Sequence, residues 1–510
     1  MPSREPIVTS PTSLAAMEDS IRRPPRQLNI LVLGGSYAGL STVHQLLTDL
    51  LPDLRTSDMG NLHYKVYLVS PSTHLYWNIC APRAIISAAL LPLSAAFHEL
   101  APALRRYPRS DFQFILGTAT HLDTRACSVT IDCRAAPSTL ADPDPADDDA
   151  AAYAYAYTEQ MRLDYHALVI ATGSTAHSPL LSLRGPHTAT VAALTDFHAR
   201  LATAETVLVA GAGCTGVEVA GQLAHFCNRS SGGGGGALDA SATGAARPTN
   251  LWSALTRKPV VNPNAKKIVL VTRSARLLPH LQPRVGERAE RQLRNMGVRI
   301  ITGVEVSAST VDDATGRTTL HLANGTTLGG DLYIPCTGVT ANSYLAGAPG
   351  GPLVRPDGAI RTVGGPDAST LRVAVPPALL PEARPEEHAG RAAARVYAIG
   401  DVADYSHRRV MDVTYALPIL MRNLGNDLRA HQLQVGNPYG GNAEAIEQLR
   451  ASDARYHRDD RDNQLVPIGW KSPGGVGVVN NVSIPGALVW AMKGKHYKVD
   501  EAKKLLERGL

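Results

Sequence analysis

Two glycine-rich turns, each lying between an apolar strand pattern and a helical pattern, set the strongest limit on what this chain folds into. The first is ILVLGGSYAG, Ile30 to Gly39; the second is VLVAGAGCTGVEVAG, Val207 to Gly221. A parallel strand that ends in a tight turn needs a residue without Cβ, and Gly34 and Gly211 stand there. The third motif position lets the backbone approach a pyrophosphate; it is Gly213 in the second loop and Ser36 in the first. The sixth position, Gly39 or Gly216, lets the helix pack on the strand. The helix that follows directs its first N–H groups at the phosphates. In the first loop Gly34, Gly35, Ser36, Tyr37, Ala38 and Gly39 are therefore all expected at a dinucleotide. Two loops imply two dinucleotides and electron transfer between them; a flavin and a nicotinamide are the expected pair. The fold class that follows is α/β, with two Rossmann-like dinucleotide-binding units.

The strand that follows each loop carries further information at its end. In the first half YKVYLV ends at Val69 and is followed by Ser70, where an acid would bind the adenosine ribose. Serine is expected to act there as a weaker clamp. In the second half KIVLVT is followed by Arg273, Ser274, Ala275 and Arg276. An acid at this place selects NAD, whereas arginine accommodates the 2′-phosphate of NADP. Arg273 and Arg276 thus favour NADPH, with NADH admitted.

The chain has 510 residues, enough for two or three domains, and its hydrophobic (44%) and charged (19%) contents are ordinary for a soluble globular protein. A net charge of +5 without basic runs argues against nucleic acid as a partner. Six scattered cysteines show no metal spacing, so no metal is expected. No apolar run reaches the length of about 18 residues that a spanning helix needs. The N-terminal stretch lacks a secretory core, and Pro2 stands where N-myristoylation requires glycine. These signs point to the cytoplasm ahead of mitochondria; the apolar-then-basic GALVWAMKGKHYKV reads first as a helix docked on its domain with a basic end, with peripheral contact to a membrane or lipid surface as the alternative.

The expected organisation is a disordered tail (1–27), a first part of the FAD domain (28–202), an NAD(P)H domain (203–345), an irregular Pro/Gly-rich segment (346–394), a second part of the FAD domain (395–434) and a C-terminal domain (435–510). An acidic stretch at Ala141 to Tyr157 and a Gly/Ser-rich stretch around Ser230 to Ala246 read as loop insertions.

A third segment, RVYAIGDVAD from Arg395 to Asp404, runs an apolar strand into Gly400 and Asp401. With the two loops, LYWNICAPRAI, VIATGS, IPCTGVTANS and the C-terminal run, the chain resembles the two-dinucleotide flavoprotein reductases. Within them it looks most similar to the apoptosis-inducing-factor-2, ferroptosis-suppressor-like branch of fungal type. The resemblance implies that the nicotinamide unit is inserted in the FAD unit and that a small C-terminal domain follows. It places FAD on the Gly34 loop, with Thr172 and Gly173 of VIATGS, Gly338 of IPCTGV and Gly400 nearby. It implies that Asp401 binds the ribityl chain, that Arg83 approaches the flavin phosphates or ring, and that Glu218 is the catalytic acid at the nicotinamide–flavin junction. It points to a quinone as electron acceptor. The disulfide relay of some relatives is not expected, since only Cys80 follows the second strand; a redox role for Cys80 competes with that of a small buried hydrophobe. Two alternatives stand beside the quinone reductase: a flavin enzyme for a dedicated small metabolite, and a flavin-bearing cell-death or DNA-binding signalling protein.

Overall fold

The computed structural model describes residues 26–56, 62–134, 157–228, 265–380, 395–436, 442–470 and 474–510. The tail up to residue 25, most of the acidic stretch and the Gly/Ser-rich stretch lie outside them. Its principal elements are numbered here along the chain. The first unit contains β1 (Arg26–Leu33), α1 (Tyr37–Gln45), β2 (Leu62–Ser70), β3 (Phe112–Asp123), β4 (Ser128–Arg134), β5 (Tyr157–Asp164) and β6 (Ala167–Ile170). α2 (His187–Thr203) then leads to β7 (Thr206–Ala210), α3 (Cys214–Asn228), β8 (Lys267–Val271), α4 (Pro283–Asn295), β9 (Arg299–Ile301) and β10 (Leu332–Pro335). β11 (Val396–Ala398), α5 (Val410–Gly436) and α6 (Val499–Arg508) follow. β1 opens at Arg26, so Arg26 and Gln27 belong to the sheet and not to the tail.

The first sheet has the order β11-β6-β1-β2-β3-β4-β5, parallel as far as β3 and antiparallel beyond. Ile30 to Leu33 are buried without alternation, as a central parallel strand covered on both faces requires. The second sheet, β9-β8-β7-β10, is parallel throughout. α4 covers it with Val285, Ala289 and Leu293, one apolar stripe on an otherwise charged helix. Two antiparallel three-stranded sheets accompany these: Val306–Val311 with Thr318–Leu322 and Thr327–Gly330, and near the C-terminus Gln464–Val466 with Val476–Val479 and Val482–Ile484.

The two units repeat one another down to single hydrogen bonds. The Gly34 amide donates to the Val69 carbonyl at 2.8 Å, and the Gly211 amide to the Val271 carbonyl at 2.8 Å. Each loop is thereby fixed across the ends of its first two strands, where open α/β sheets bind ligands. A short antiparallel pair, Ser174–Ala176 with Val339–Ala341, crosses between the units.

The segment expected to be irregular is tied into the first unit over its described part. Ile360 bridges to Ala403 and Arg372 to Tyr397, and Val354, Ile360, Leu371 and Val373 are buried in the core that also holds β11. Single bridges between Gly- and Pro-rich turns leave no periodic pattern, which is why the sequence reads as irregular.

Candidate active site

Both loops meet the steric demand that their sequences pose. Gly34 has φ +115° and Gly211 φ +98°. A Cβ at Gly34 would collide with the Ala171 carbonyl oxygen, and one at Gly211 with the Cys336 carbonyl oxygen. A Cβ at Gly39 would strike the Gly34 carbonyl, and one at Gly216 the Gly211 carbonyl. Gly213 faces open space, as a backbone awaiting a close ligand should. Ser36 is accommodated at the same motif position because its φ is −119°, which an L side chain adopts freely.

A groove of about 550 Å³ opens along the first loop. Gly34, Gly35, Ser36, Tyr37, Ala38, Ser70, Thr172, Gly173, Gly400 and Asp401 all line it. Gly39 does its work behind the loop, through packing. The Ser70 hydroxyl donates to the Ser72 carbonyl (2.9 Å) and would stand 2.7 Å from a Cβ on Gly35. The close approach of Gly35 leaves little space there for a longer acid. Arg134, unremarked in the sequence, lines this end of the groove.

A second cavity, about 860 Å³, opens along the other loop, where Gly211, Gly213, Glu218, Arg273 and Gly338 line it. Six residues belong to both walls: Asn78, Ser174, Ser182, Asp401, Arg408 and Val410. The cavities therefore meet at Asp401. Its carboxylate accepts a hydrogen bond from the Ser174 hydroxyl at 2.8 Å. Burial pushes the Asp401 carboxyl up from its ordinary range, while Ser174 and the charge of Arg408 hold it back. Tyr37 closes the groove beside them, donating to Asn78 Oδ1 at 2.9 Å.

Glu218 is buried on the wall of the second cavity and pairs with Lys493, Nζ to Oε1 2.6 Å. Burial raises its carboxyl; the lysine opposes that shift. The fit to two dinucleotides is thus carried by two cradles that a Cβ would fill and by polar groups gathered where the cavities join.

Residues 28–364 match the family described as pyridine nucleotide-disulphide oxidoreductase, well over half of the chain. The chain belongs to this family. It is 32% identical over 475 residues to the oxidoreductase phnG of Penicillium herquei, covering 92% of this chain and 93% of that protein. It is 30% identical over 318 residues to the oxidoreductase ptaL of Pestalotiopsis fici, covering 62% and 67% respectively. Among solved structures, the water-forming NADH oxidase from Lactobacillus brevis aligns with 78% of this chain and 69% of its own, at 15% identity and a TM-score of 0.48. This pyridine nucleotide-disulphide oxidoreductase is an NAD(P)H-dependent flavoprotein, and its cofactors are FAD and a nicotinamide dinucleotide.

Two expected contacts are corrected. Arg83 lines neither cavity. Its guanidinium donates to the carbonyls of Gly494 (2.7 Å) and Lys495 (2.9 Å) and lies over the rings of Tyr497 and Trp470. It anchors the C-terminal segment because that segment offers free carbonyls and two aromatic faces. Arg276 is also turned away from the cavity, with its guanidinium on the carbonyls of Pro279 (2.8 Å) and Leu281 (3.2 Å). Arg273 stays on the wall.

Cys80 is fully buried, its thiol donates to the Trp77 carbonyl, and burial pushes it up to about 12. A thiol so held stays protonated at neutral pH and unreactive. All six cysteines are free. Among the described residues no group of three or more His, Cys, Asp or Glu is placed to hold a metal, and no helix is long and apolar enough to cross a membrane.

Proposed function

We propose that this flavoprotein is a quinone reductase of the apoptosis-inducing-factor-2, ferroptosis-suppressor-like kind. The observation that carries the reading is the wall common to both cavities, which lets the reacting ends of two dinucleotides meet at Asn78, Ser174, Asp401 and Arg408. When bound, FAD would supply the two-electron redox chemistry that links NAD(P)H to an acceptor. The loops at Gly34 and Gly211 receive the pyrophosphates on the N-termini of α1 and α3. Asp401, oriented by Ser174, takes a sugar hydroxyl of the flavin, and Arg408 sets a positive charge where the two cavities meet. Glu218 and Lys493 act as one positioning unit on the nicotinamide side.

The acceptor side is argued from surface chemistry. Val482 is exposed on the last strand of the C-terminal sheet, Leu488 and Met492 are exposed on the helical turns that follow it, and Lys495 and Lys498 are exposed a few residues on. Exposed apolar side chains followed along the chain by exposed lysines suit peripheral contact with an anionic lipid surface, where quinones dissolve.

Turnover of NADPH with a short-chain soluble benzoquinone, compared with oxygen alone, tests this. We expect quinone to raise the rate by at least tenfold. Equal rates with and without quinone would overturn the assignment of the acceptor and leave the flavoprotein family as it stands.

A further inference from the structure

We propose that Glu305 is a second determinant of nucleotide choice, opposed to Arg273, which makes the enzyme accept both NADH and NADPH by restraining the 2′-phosphate. This rests on the reading that the Gly211 cavity receives the nicotinamide dinucleotide.

The acid that selects NAD ordinarily ends the second strand of the unit. Here β8 ends at Val271, and Thr272, which follows it, is buried. The stretch that follows β9 restores a carboxylate from the side. The Thr272 amide donates to the Ile301 carbonyl (2.9 Å), the Val304 amide to the Thr272 carbonyl (3.0 Å) and the Gly303 amide to the Ser274 carbonyl (3.0 Å). These three rungs hold 303–305 alongside 272–274, with Gly303 at φ +74° making the turn. Glu305 thereby comes beside Arg273, Oε1 to Nη1 3.9 Å. Both side chains line the second cavity together with Thr272, Ser274 and His280.

The Arg273 and Glu305 side chains are 78% and 59% exposed. A pair so open and so long adds little to stability. Its charges are instead available to a ligand. A guanidinium suits a phosphate, whereas a carboxylate accepts from a ribose hydroxyl and repels a phosphate at the same place. Of the two arginines after β8, only Arg273 reaches the wall, since Arg276 is spent on backbone carbonyls. One cation and one anion therefore face the 2′ position, and neither nucleotide is excluded.

The test is calorimetric titration of the FAD-loaded protein with NAD⁺ and with NADP⁺. Glu305→Gln should tighten NADP⁺ by about tenfold relative to NAD⁺, and Arg273→Gln should weaken NADP⁺ by about tenfold while changing NAD⁺ little. Glu287→Gln, an equal change of net charge on the exposed face of α4, should leave the ratio as in the unaltered protein. All three sites are on the surface, where substitution rarely disturbs folding. A ratio within twofold of the unaltered protein in Glu305→Gln, or the same shift in Glu287→Gln, would overturn the proposal. Failure of the unaltered protein to bind either nucleotide would overturn the reading of the cavity itself, and the proposal with it.

Discussion

Lys493 illustrates what single residues contribute beyond their local sequence. It reaches Glu218 across 275 positions of chain, and no pattern near either residue announces the other. The glutamate alone was legible, through its place after the second loop; its partner comes from the helical turn Trp490–Gly494 near the end of the chain. Glu218 is 3% and Lys493 18% exposed at the side chain. Removing one member of such a pair leaves a buried charge uncompensated, at a cost of about 3 kcal/mol or more. Lys493→Met should therefore lower the thermal unfolding midpoint clearly, while the double change with Glu218→Gln recovers part of the loss. An unchanged midpoint in Lys493→Met would show that the pair is not formed in solution. Arg83 and Arg276 teach the same lesson in reverse. Their residue type suits phosphates, but nearby carbonyls claimed them. A guanidinium takes the nearest good acceptors, and the sequence does not say which those are.

At the scale of elements, the two strand–loop–helix units were legible because their requirements are local. A positive φ and a close approach of backbone to backbone demand glycine at fixed spacing, and the strands need apolar runs. The consequence can be tested one unit at a time. Gly39→Ala forces a methyl group against the Gly34 carbonyl and should yield a protein that no longer retains FAD and is colourless. Gly216→Ala makes the same intrusion in the other unit. It should yield a yellow protein with nicotinamide affinity at least tenfold weaker. Visible spectra and nucleotide titration of both variants check this; loss of both ligands in either variant would mean that the units do not act separately. The bridges of 353–373 to β11 and its neighbours escaped the sequence, since isolated pairings between turns carry no period.

On the whole-molecule scale, pH reports on histidines buried without charge. His44 is fully buried, and burial together with the Arg106 charge lowers its ring from the ordinary 6.5 to about 4. Arg106 Nη2 lies 2.8 Å from His44 Nδ1; because arginine only donates, that nitrogen accepts and the ring is neutral. His187, half-buried and stacked on His74 with ring centroids 3.7 Å apart, is likewise lowered to about 4, by partial burial first and by its neighbour second. Once unfolded, both rings take up protons near the ordinary value. Between about pH 6.5 and 4 the unfolded state therefore binds more protons. This contribution to stability is complete above that window and is lost as pH falls through it. Urea midpoints should decline from pH 7 to pH 4.5, and a flat profile would contradict the neutral burial of these rings.

The central claim is that two dinucleotide cavities meet in this chain so that electrons pass from one ligand to the other. Anaerobic mixing of the purified yellow protein with NADPH, and separately with NADH, tests it most directly. The account predicts rapid loss of the oxidised-flavin absorbance at roughly 450 nm with both nucleotides. A protein that retains FAD and binds either nucleotide, yet keeps its colour with both, would contradict the meeting of the two cavities.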